Sequence, residues 1–196
     1  MVVFATPEDG NRSRALARPA PAPSIRLARE EELGAIASLF APALAPYRGA
    51  GADEILDAYL TELLDVRSRF GVAETYVAVE DGSVVGSVAF YRDVVLEGWS
   101  SFPPGWAGFR ALAVSPAARG GGIGRLLVER CLDRAREAGA TTLGIHTIET
   151  LVDAVRLYER LGFVRSPEFD LRAADVFPSD APIQSDLVGM AFRREL

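Results

Sequence analysis

ALAVSPAARGGGIG, residues Ala111 to Gly124, is the stretch that decides the fold. From Phe109 to Val114 the chain is short and apolar, which suits a buried strand. Ser115 and Pro116 end that strand, because proline donates no ladder hydrogen bond. Arg119, Gly120, Gly121, Gly122, Ile123 and Gly124 follow, and then a helical pattern, RLLVERCLDRAREAG, that stops at Gly139. Strand, glycine turn and helix start together make an anion site. The first-turn N–H groups of a helix lack intrahelical partners, and its dipole end is positive. Glycine lets the backbone come close to a phosphate because no Cβ intervenes. A bound phosphate is expected here, and a diphosphate fits best.

The ligand can be narrowed further. The turn lacks the Gly-Lys-Ser/Thr ending that places a lysine on a γ-phosphate. Its glycine spacing is not that of a dinucleotide fingerprint, and no repeated strand–helix units follow. It resembles instead the acetyl-CoA loop of the GCN5-related N-acetyltransferases, the GNAT family. Their Arg/Gln-x-x-Gly-x-Gly/Ala signature is filled by Arg119, Gly122 and Gly124. A second family motif follows about 30 residues later, with Ala154, Leu157, Tyr158, Gly162 and Phe163 in AVRLYERLGF. The resemblance runs from Ile25 to Leu196, and its specific part is Ala111 to Phe163.

The resemblance implies an α/β GNAT fold: a mixed, mostly antiparallel sheet of about six to seven strands flanked by about four helices. It implies that acetyl-CoA is bound by Leu112, Ala113, Val114, Arg119, Gly120, Gly121, Gly122, Ile123, Gly124 and Arg125. In the family the central strand carries a bulge and splays from the next strand. The pantetheine arm then adds to exposed ladder groups, a form of β-augmentation. An N–H near Ala113 would point at the thioester oxygen.

Composition sets the bounds. A chain of 196 residues, 49% of them apolar, can bury one good core. Its net charge of −6 argues against general nucleic-acid or membrane-surface partners and is compatible with a cationic amine. The single cysteine, Cys131, allows no internal disulfide and reads as a small buried filler of a helix. No apolar stretch is long enough to span a bilayer, and MVVFATPEDG lacks a signal-peptide layout, so cytoplasm is the expected location. Relatives often dimerise, and a homodimer is compatible with this chain.

Residues 1–24, with prolines, alanines and arginines but no apolar period, read as a tail before a single domain over 25–196. A strand over Ile25–Ala28 leads to a helix over Arg29–Pro46, which Pro42 and Pro46 should break or end. A second helix is expected over Ala52–Ser68. In the family these helices wall the acceptor site, which makes Tyr47, Arg48 and Tyr59 candidate substrate contacts. Thr75–Val79 and Val84–Tyr91 form a hairpin through Asp81-Gly82. Asp93–Gly105, with Trp99 and Phe102, then Trp106, is a long aromatic connection that covers either the substrate mouth or core. In the helix after the glycine turn, Ile123, Leu127 and Cys131 form a stripe widened by Leu126 and Leu132. Thr141–Thr147 is a strand, Val152–Leu161 a helix closed by Gly162, Phe163–Val164 a strand start, and Asp186–Phe192 the last strand. Arg165–Ser185 reads as a variable loop beside the acceptor site.

Acetyl transfer to an amine requires removal of the amine proton, donors for the oxyanion and a proton for the leaving thiolate. It needs neither a metal nor a nucleophilic cysteine. Tyr158 matches the family tyrosine that faces the CoA sulfur, and a phenol's pKa near 10 lies close to that of a thiol. The base is harder to find. Many relatives carry a glutamate a few residues before the core of the central strand, where this chain reads Ala107, Gly108, Phe109, Arg110. His146, the only histidine, is the first substitute, since a pKa near 6.5 suits a base at neutral pH. Alternation in LGIHT places it opposite Leu143 and Ile145. Glu97, Glu149 and Asp170 are further candidates. Leu151 stands where relatives often hold an asparagine for the pantetheine arm. The expected function is an acetyl-CoA-dependent N-acetyltransferase acting on a primary amine of a small molecule, a protein N-terminus or a lysine. The alternative is a non-catalytic acyl-CoA-binding module.

Overall fold

A computed structural model describes residues 22–49, 53–98, 100–172 and 188–196. Outside that range lie residues 1–21 of the expected tail, 50–52 with the expected start of the second helix, Trp99, 173–185 of the expected last loop, and Asp186 and Leu187 of the expected last strand. The chain begins its sheet at β1 (Ser24–Leu27). Helix α1 (Leu33–Leu44) follows a 3-10 turn, Glu30–Glu32, that carries a capping box. There the Glu32 carboxylate accepts the Arg29 N–H at 2.8 Å and takes a two-pronged ion pair from Arg26 at 2.8 and 2.6 Å. Pro42 does not end the helix as expected. It lies inside α1 on the exposed side, two residues before the helix stops, so its missing N–H interrupts the ladder toward solvent. The second helical stretch divides at Asp65 into α2 (Asp53–Leu64) and the one-turn α3 (Val66–Arg69), because the Asp65 carboxylate caps the Ser68 N–H.

Strands β2 (Glu74–Glu80) and β3 (Ser83–Tyr91) form the expected hairpin. Asp81 and Gly82 both take positive φ, 47° and 78°, as a type I′ turn requires. After β4 (Ala107–Val114) come α4 (Ile123–Glu137), β5 (Thr142–Thr147), α5 (Val152–Arg160), the two-residue strands β6 (Val164–Arg165) and β7 (Leu171–Arg172), and β8 (Val188–Glu195). Gly162 ends α5 in a Schellman motif. The Phe163 N–H reaches the Tyr158 carbonyl at 3.0 Å, and the Gly162 N–H reaches that of Glu159 at 3.0 Å.

The eight strands among the described residues form one sheet in the order β1-β2-β3-β4-β5-β8-β6, with β7 beside β8. Of these strands only β4 and β5 pair in parallel. Helices cover both faces. On one, α4 and α5 pack on Phe109, Leu143, Ile145 and Phe192. On the other, α1 and α2 pack on Val77, Ala89, Ala111 and Ala113. The α4 stripe is Ile123, Leu127, Val128, Cys131, Leu132 and Ala135, while Leu126 is exposed. At 100° per residue Leu126 points away from the row through 127 and 131, so it does not widen the stripe as expected.

Candidate active site

Two irregularities in β4 shape the centre of the sheet. Ser87 of β3 opposes Ala113, but Ala89 opposes Arg110, so β4 carries one extra residue at a bulge. Ala111 accommodates it at φ 53°, a conformation that side chains disfavour. The bulge also inverts the alternation. Gly108 and Arg110 face the side of α1 and α2, and beyond the bulge Ala111 and Ala113 do so. The second irregularity is a fork. β4 pairs with β5 only at Ala107–Leu143 and Gly108–Gly144, and then the strands part. The bulge and the splay expected from the family resemblance are therefore both present.

Both glycines of the last rung are occupied by foreign side chains. A Cβ on Gly144 would meet the Phe102 ring at 2.7 Å, and a Cβ on Gly108 would meet Glu97 Oε1 at 2.7 Å. The connection from β3 to β4 thus inserts an aromatic ring and a carboxylate into two notches at the base of the fork. A cavity of about 130 Å³ opens above them. Phe40 and Leu44 of α1, Ile55, Tyr59 and Leu63 of α2, and Leu151, Ala154 and Tyr158 give it a largely apolar wall, with Glu97, Arg110 and His146 as its ionisable groups.

Each candidate residue finds a definite place. Tyr158 is buried, edge-on to Phe109 at 5.8 Å and tilted on Phe163 at 5.8 Å, and it lines the cavity. Burial raises its pKa, so the phenol keeps its proton. Tyr59 lines the same cavity, and burial raises its pKa as well. Tyr47, an expected substrate contact, is not among the residues that line the cavity; its hydroxyl donates to Asp153 Oδ2 at 2.7 Å. Arg48 is turned outward to Asp57 at 2.5 Å. His146 shares the cavity face opposite Leu143 and Ile145, as alternation predicts. Its Nε2 lies 2.9 Å from the Phe169 carbonyl and 3.1 Å from Ser101 Oγ. A carbonyl only accepts, so Nε2 carries the hydrogen. The imidazole stacks on Phe102 at 4.4 Å, and burial lowers its pKa.

The remaining candidates separate clearly. Asp170 is committed to Arg165 at 2.6 and 2.5 Å and to the Ala191 N–H at 2.9 Å. Glu149 is exposed in the turn after β5 and does not line the cavity. Cys131 is fully buried under α4, and burial raises its pKa, which leaves it an inert filler. Arg110 was not singled out from the sequence, yet it is a buried cation of the cavity, paired with Glu62, which also binds Arg69 at 3.2 Å. Glu97 was one of several carboxylates, with nothing to prefer it. The signal was the pair of glycines inside strands, which mark a close approach of other atoms.

The glycine turn is an open cradle. Gly120 and Gly122 have φ of 84° and 81°, and a Cβ on either would meet nothing within 4 Å. Gly122 is the N-cap of α4, with no side-chain hydrogen bond to the first-turn N–H groups. Arg119 folds across the turn and donates to the Ala43 carbonyl at 2.8 Å. Gly124 differs: it lies within α4, and a Cβ there would touch Leu157 of α5 at 3.4 Å.

The profile of the Acetyltransferase (GNAT) family matches residues 35–163. The chain belongs to the GNAT family. It is 32% identical over 145 residues to the IAA acetyltransferase of Azospirillum brasilense, covering 72% of this chain and 85% of that protein. It is 31% identical over 147 residues to the L-amino acid N-acyltransferase MnaT of Escherichia coli, covering 72% and 79%. Among solved structures, a GNAT acetyltransferase from Brucella melitensis in complex with acetyl-CoA shares 27% identity at a TM-score of 0.54, over 72% of this chain and 82% of that one. A GCN5-related N-acetyltransferase from Rhodopseudomonas palustris shares the fold at a TM-score of 0.68 and 16% identity, over 90% and 98%. The sheet of this GNAT chain, open and mostly antiparallel, is the one its resemblance implied. No helix among the described residues is long and apolar enough to cross a membrane.

Proposed function

We propose that this protein transfers an acetyl group from acetyl-CoA to a primary amine, directly, in a complex that holds both substrates. The observation that carries this reading is the fork beyond Gly108–Gly144 with the open glycine turn at the start of α4 beside it. The turn suits a diphosphate: Gly120, Gly121 and Gly122 leave room, the first-turn N–H groups of α4 can donate, and Arg119 adds a cation. The parted strands expose ladder groups for the pantetheine arm, and the N–H near Ala113 would serve the thioester oxygen. When bound, acetyl-CoA supplies the acyl thioester.

Tyr158 is the proton donor to the leaving sulfur in this scheme, because burial keeps its phenol protonated at neutral pH. The amine enters over Tyr59, Leu63 and Phe40, where an apolar body fits. Its proton passes to one of the two acidic or basic groups of the cavity that remain, His146 or Glu97. The competing reading, a non-catalytic acyl-CoA binder, rested on the missing carboxylate at 107–110. Glu97 in the notch of Gly108 weighs against it.

Calorimetric titration of acetyl-CoA into the native protein and a Gly122→Glu variant tests the reading. Saturable binding lost in the variant is expected. No binding by the native protein at millimolar acetyl-CoA would overturn it.

A further inference from the structure

We infer that Glu97 is the group that takes the proton from the acceptor amine, its carboxylate delivered to the base of the fork through the space that Gly108 leaves open. This rests on the acetyltransferase reading above and names the residue that reading leaves undecided.

Three observations converge. The first is placement. Gly108 pairs with Gly144 at the last rung before the strands part, and Glu97 Oε1 lies 2.7 Å from where a Cβ on Gly108 would stand. The carboxylate therefore occupies the position of a side chain on β4, although it belongs to the turn Val94–Glu97. Along an extended strand the bulge at Ala111 is about 10 Å further on, a span that an amine and a short chain of waters in the cavity would bridge. The second is constraint. The turn is pinned by Asp93, whose carboxylate accepts the Val95 N–H at 3.0 Å, and by the Val94 N–H on the Trp106 carbonyl at 2.9 Å. Val94 is fully buried, so the turn holds its glutamate in place. The third is the other candidate. With the Nε2 hydrogen of His146 held by Phe169 and its ring stacked on Phe102, its basic nitrogen is Nδ1, and burial lowers the pKa of the ring, which makes it the weaker base of the two.

The electrostatics agree. Burial pushes Glu97 up to about 8, opposed by Arg110 of β4 and assisted by Glu62 of α2. Tyr91 of β3 also faces it, and His146 of β5 borders the same cavity. A carboxylate raised toward the working pH is a stronger base than an exposed one. The step balances without any further reactant. The amine nitrogen forms a bond to the acetyl carbon as the carbon–sulfur bond breaks. The ammonium first passes one proton to Glu97 and attacks as the free amine, and Tyr158 protonates the departing sulfur. The second nitrogen proton, released as the amide forms, restores the Tyr158 phenol through water, and Glu97 gives its proton to solvent.

The test measures thiol release from acetyl-CoA with a panel of primary amines: phenethylamine, spermidine, L-methionine and a glycyl peptide. Native protein is compared with Glu97→Gln and with Gly108→Ala, whose added methyl would displace the carboxylate. Calorimetry with acetyl-CoA confirms that each variant is folded. For Glu97→Gln a fall in kcat of about 100-fold or more is expected, with unchanged acetyl-CoA affinity. The native rate should rise with pH toward about 8, and that rise should vanish in the variant. Gly108→Ala should lower kcat about ten-fold and add nothing to Glu97→Gln. Native turnover with a Glu97→Gln variant of equal kcat and equal pH profile would overturn the inference while leaving the acetyltransferase reading intact. An additive double variant would overturn it too. A native protein that acetylates no amine of the panel would overturn both.

Discussion

The hydroxyl of Tyr47 donates to Asp153 Oδ2 at 2.7 Å, joining the turn that follows α1 to the first turn of α5 across 106 residues of chain. These are the two walls between which the cavity opens, with Leu44 on one side and Leu151 and Ala154 on the other. One hydrogen bond near the surface contributes about 1 kcal/mol, about a five-fold change in an equilibrium. Tyr47→Phe should therefore speed acetyl-CoA dissociation about five-fold in stopped-flow displacement, with little change in the melting temperature. An unchanged dissociation rate would mean that the contact does not hold the walls.

The motif glycines Gly122 and Gly124 should respond differently to the same change. Gly122 sits at φ 81°, so Gly122→Ala should cost about 1 kcal/mol by backbone strain alone. Gly124 is helical and has ordinary contact distance to Leu157, so Gly124→Ala should cost nothing and could gain about 0.5 kcal/mol. Urea denaturation of the two variants distinguishes them. Equal destabilisation would remove the distinction.

Tyr158→Phe deletes one oxygen from a buried ring held by Phe109, Phe163 and Phe192. The packing survives, so acetyl-CoA affinity should be retained while kcat falls about 10- to 100-fold. Steady-state kinetics and calorimetry on the same preparation check this. A variant with native kcat would exclude Tyr158 as the proton donor.

Ala111 holds the bulge in a left-handed conformation while buried against α1. Ala111→Gly should relieve about 1 kcal/mol of strain, offset in part by the more flexible unfolded chain. Ala111→Val should destabilise by about 2 kcal/mol or more, because a β-branched residue tolerates positive φ least. Thermal melts of the pair give the sign. Equal melts would mean that the bulge is not strained.

Glu32 sets an acid limit. Its side-chain hydrogen bond from Arg26, together with the Arg29 N–H, holds the carboxyl down to about 2. A folded pKa below the unfolded value stabilises at pH above the unfolded value, near 4.5, and that stability is lost as pH falls toward 2. The side chain is largely buried, and the contribution should be about 1–2 kcal/mol. Glu32→Gln should lower stability at pH 7 by that amount and flatten the pH dependence between 4.5 and 2. A parallel pair of pH curves would locate the acid limit elsewhere.

Turn chemistry made much of the fold legible. Asp81-Gly82 fixed the β2–β3 hairpin, Gly139 and Gly162 ended helices, and alternation in LGIHT put His146 on the cavity side. These are short-range effects, written in adjacent residues. The fork and the bulge of β4 came only from the family resemblance, because a strand that splays has the same residues as one that pairs. Pro42 misled for a related reason. Whether a proline stops a helix depends on which side its missing bond faces, and that is set by packing. Glu97 was hidden furthest, since its position is defined by Gly108, eleven residues on, and by the route the connection takes between them. The Arg110–Glu62–Arg69 chain was likewise beyond reach, as it joins α2, α3 and β4 through space.

The two pairs at the fork, Ala107–Leu143 and Gly108–Gly144, are all that joins β1–β4 to β5–β8 by hydrogen-bonded strand pairing. The sheet is two laminae welded at one spot, and α4 leans chiefly on the first of them. One apolar core under α4 and α5 spans both laminae, so what the fork lacks is strand pairing and not packing. A molecule laid along the fork would act as a borrowed strand. Acetyl-CoA should then raise the melting temperature by supplying the backbone pairing that the parted strands leave unmade.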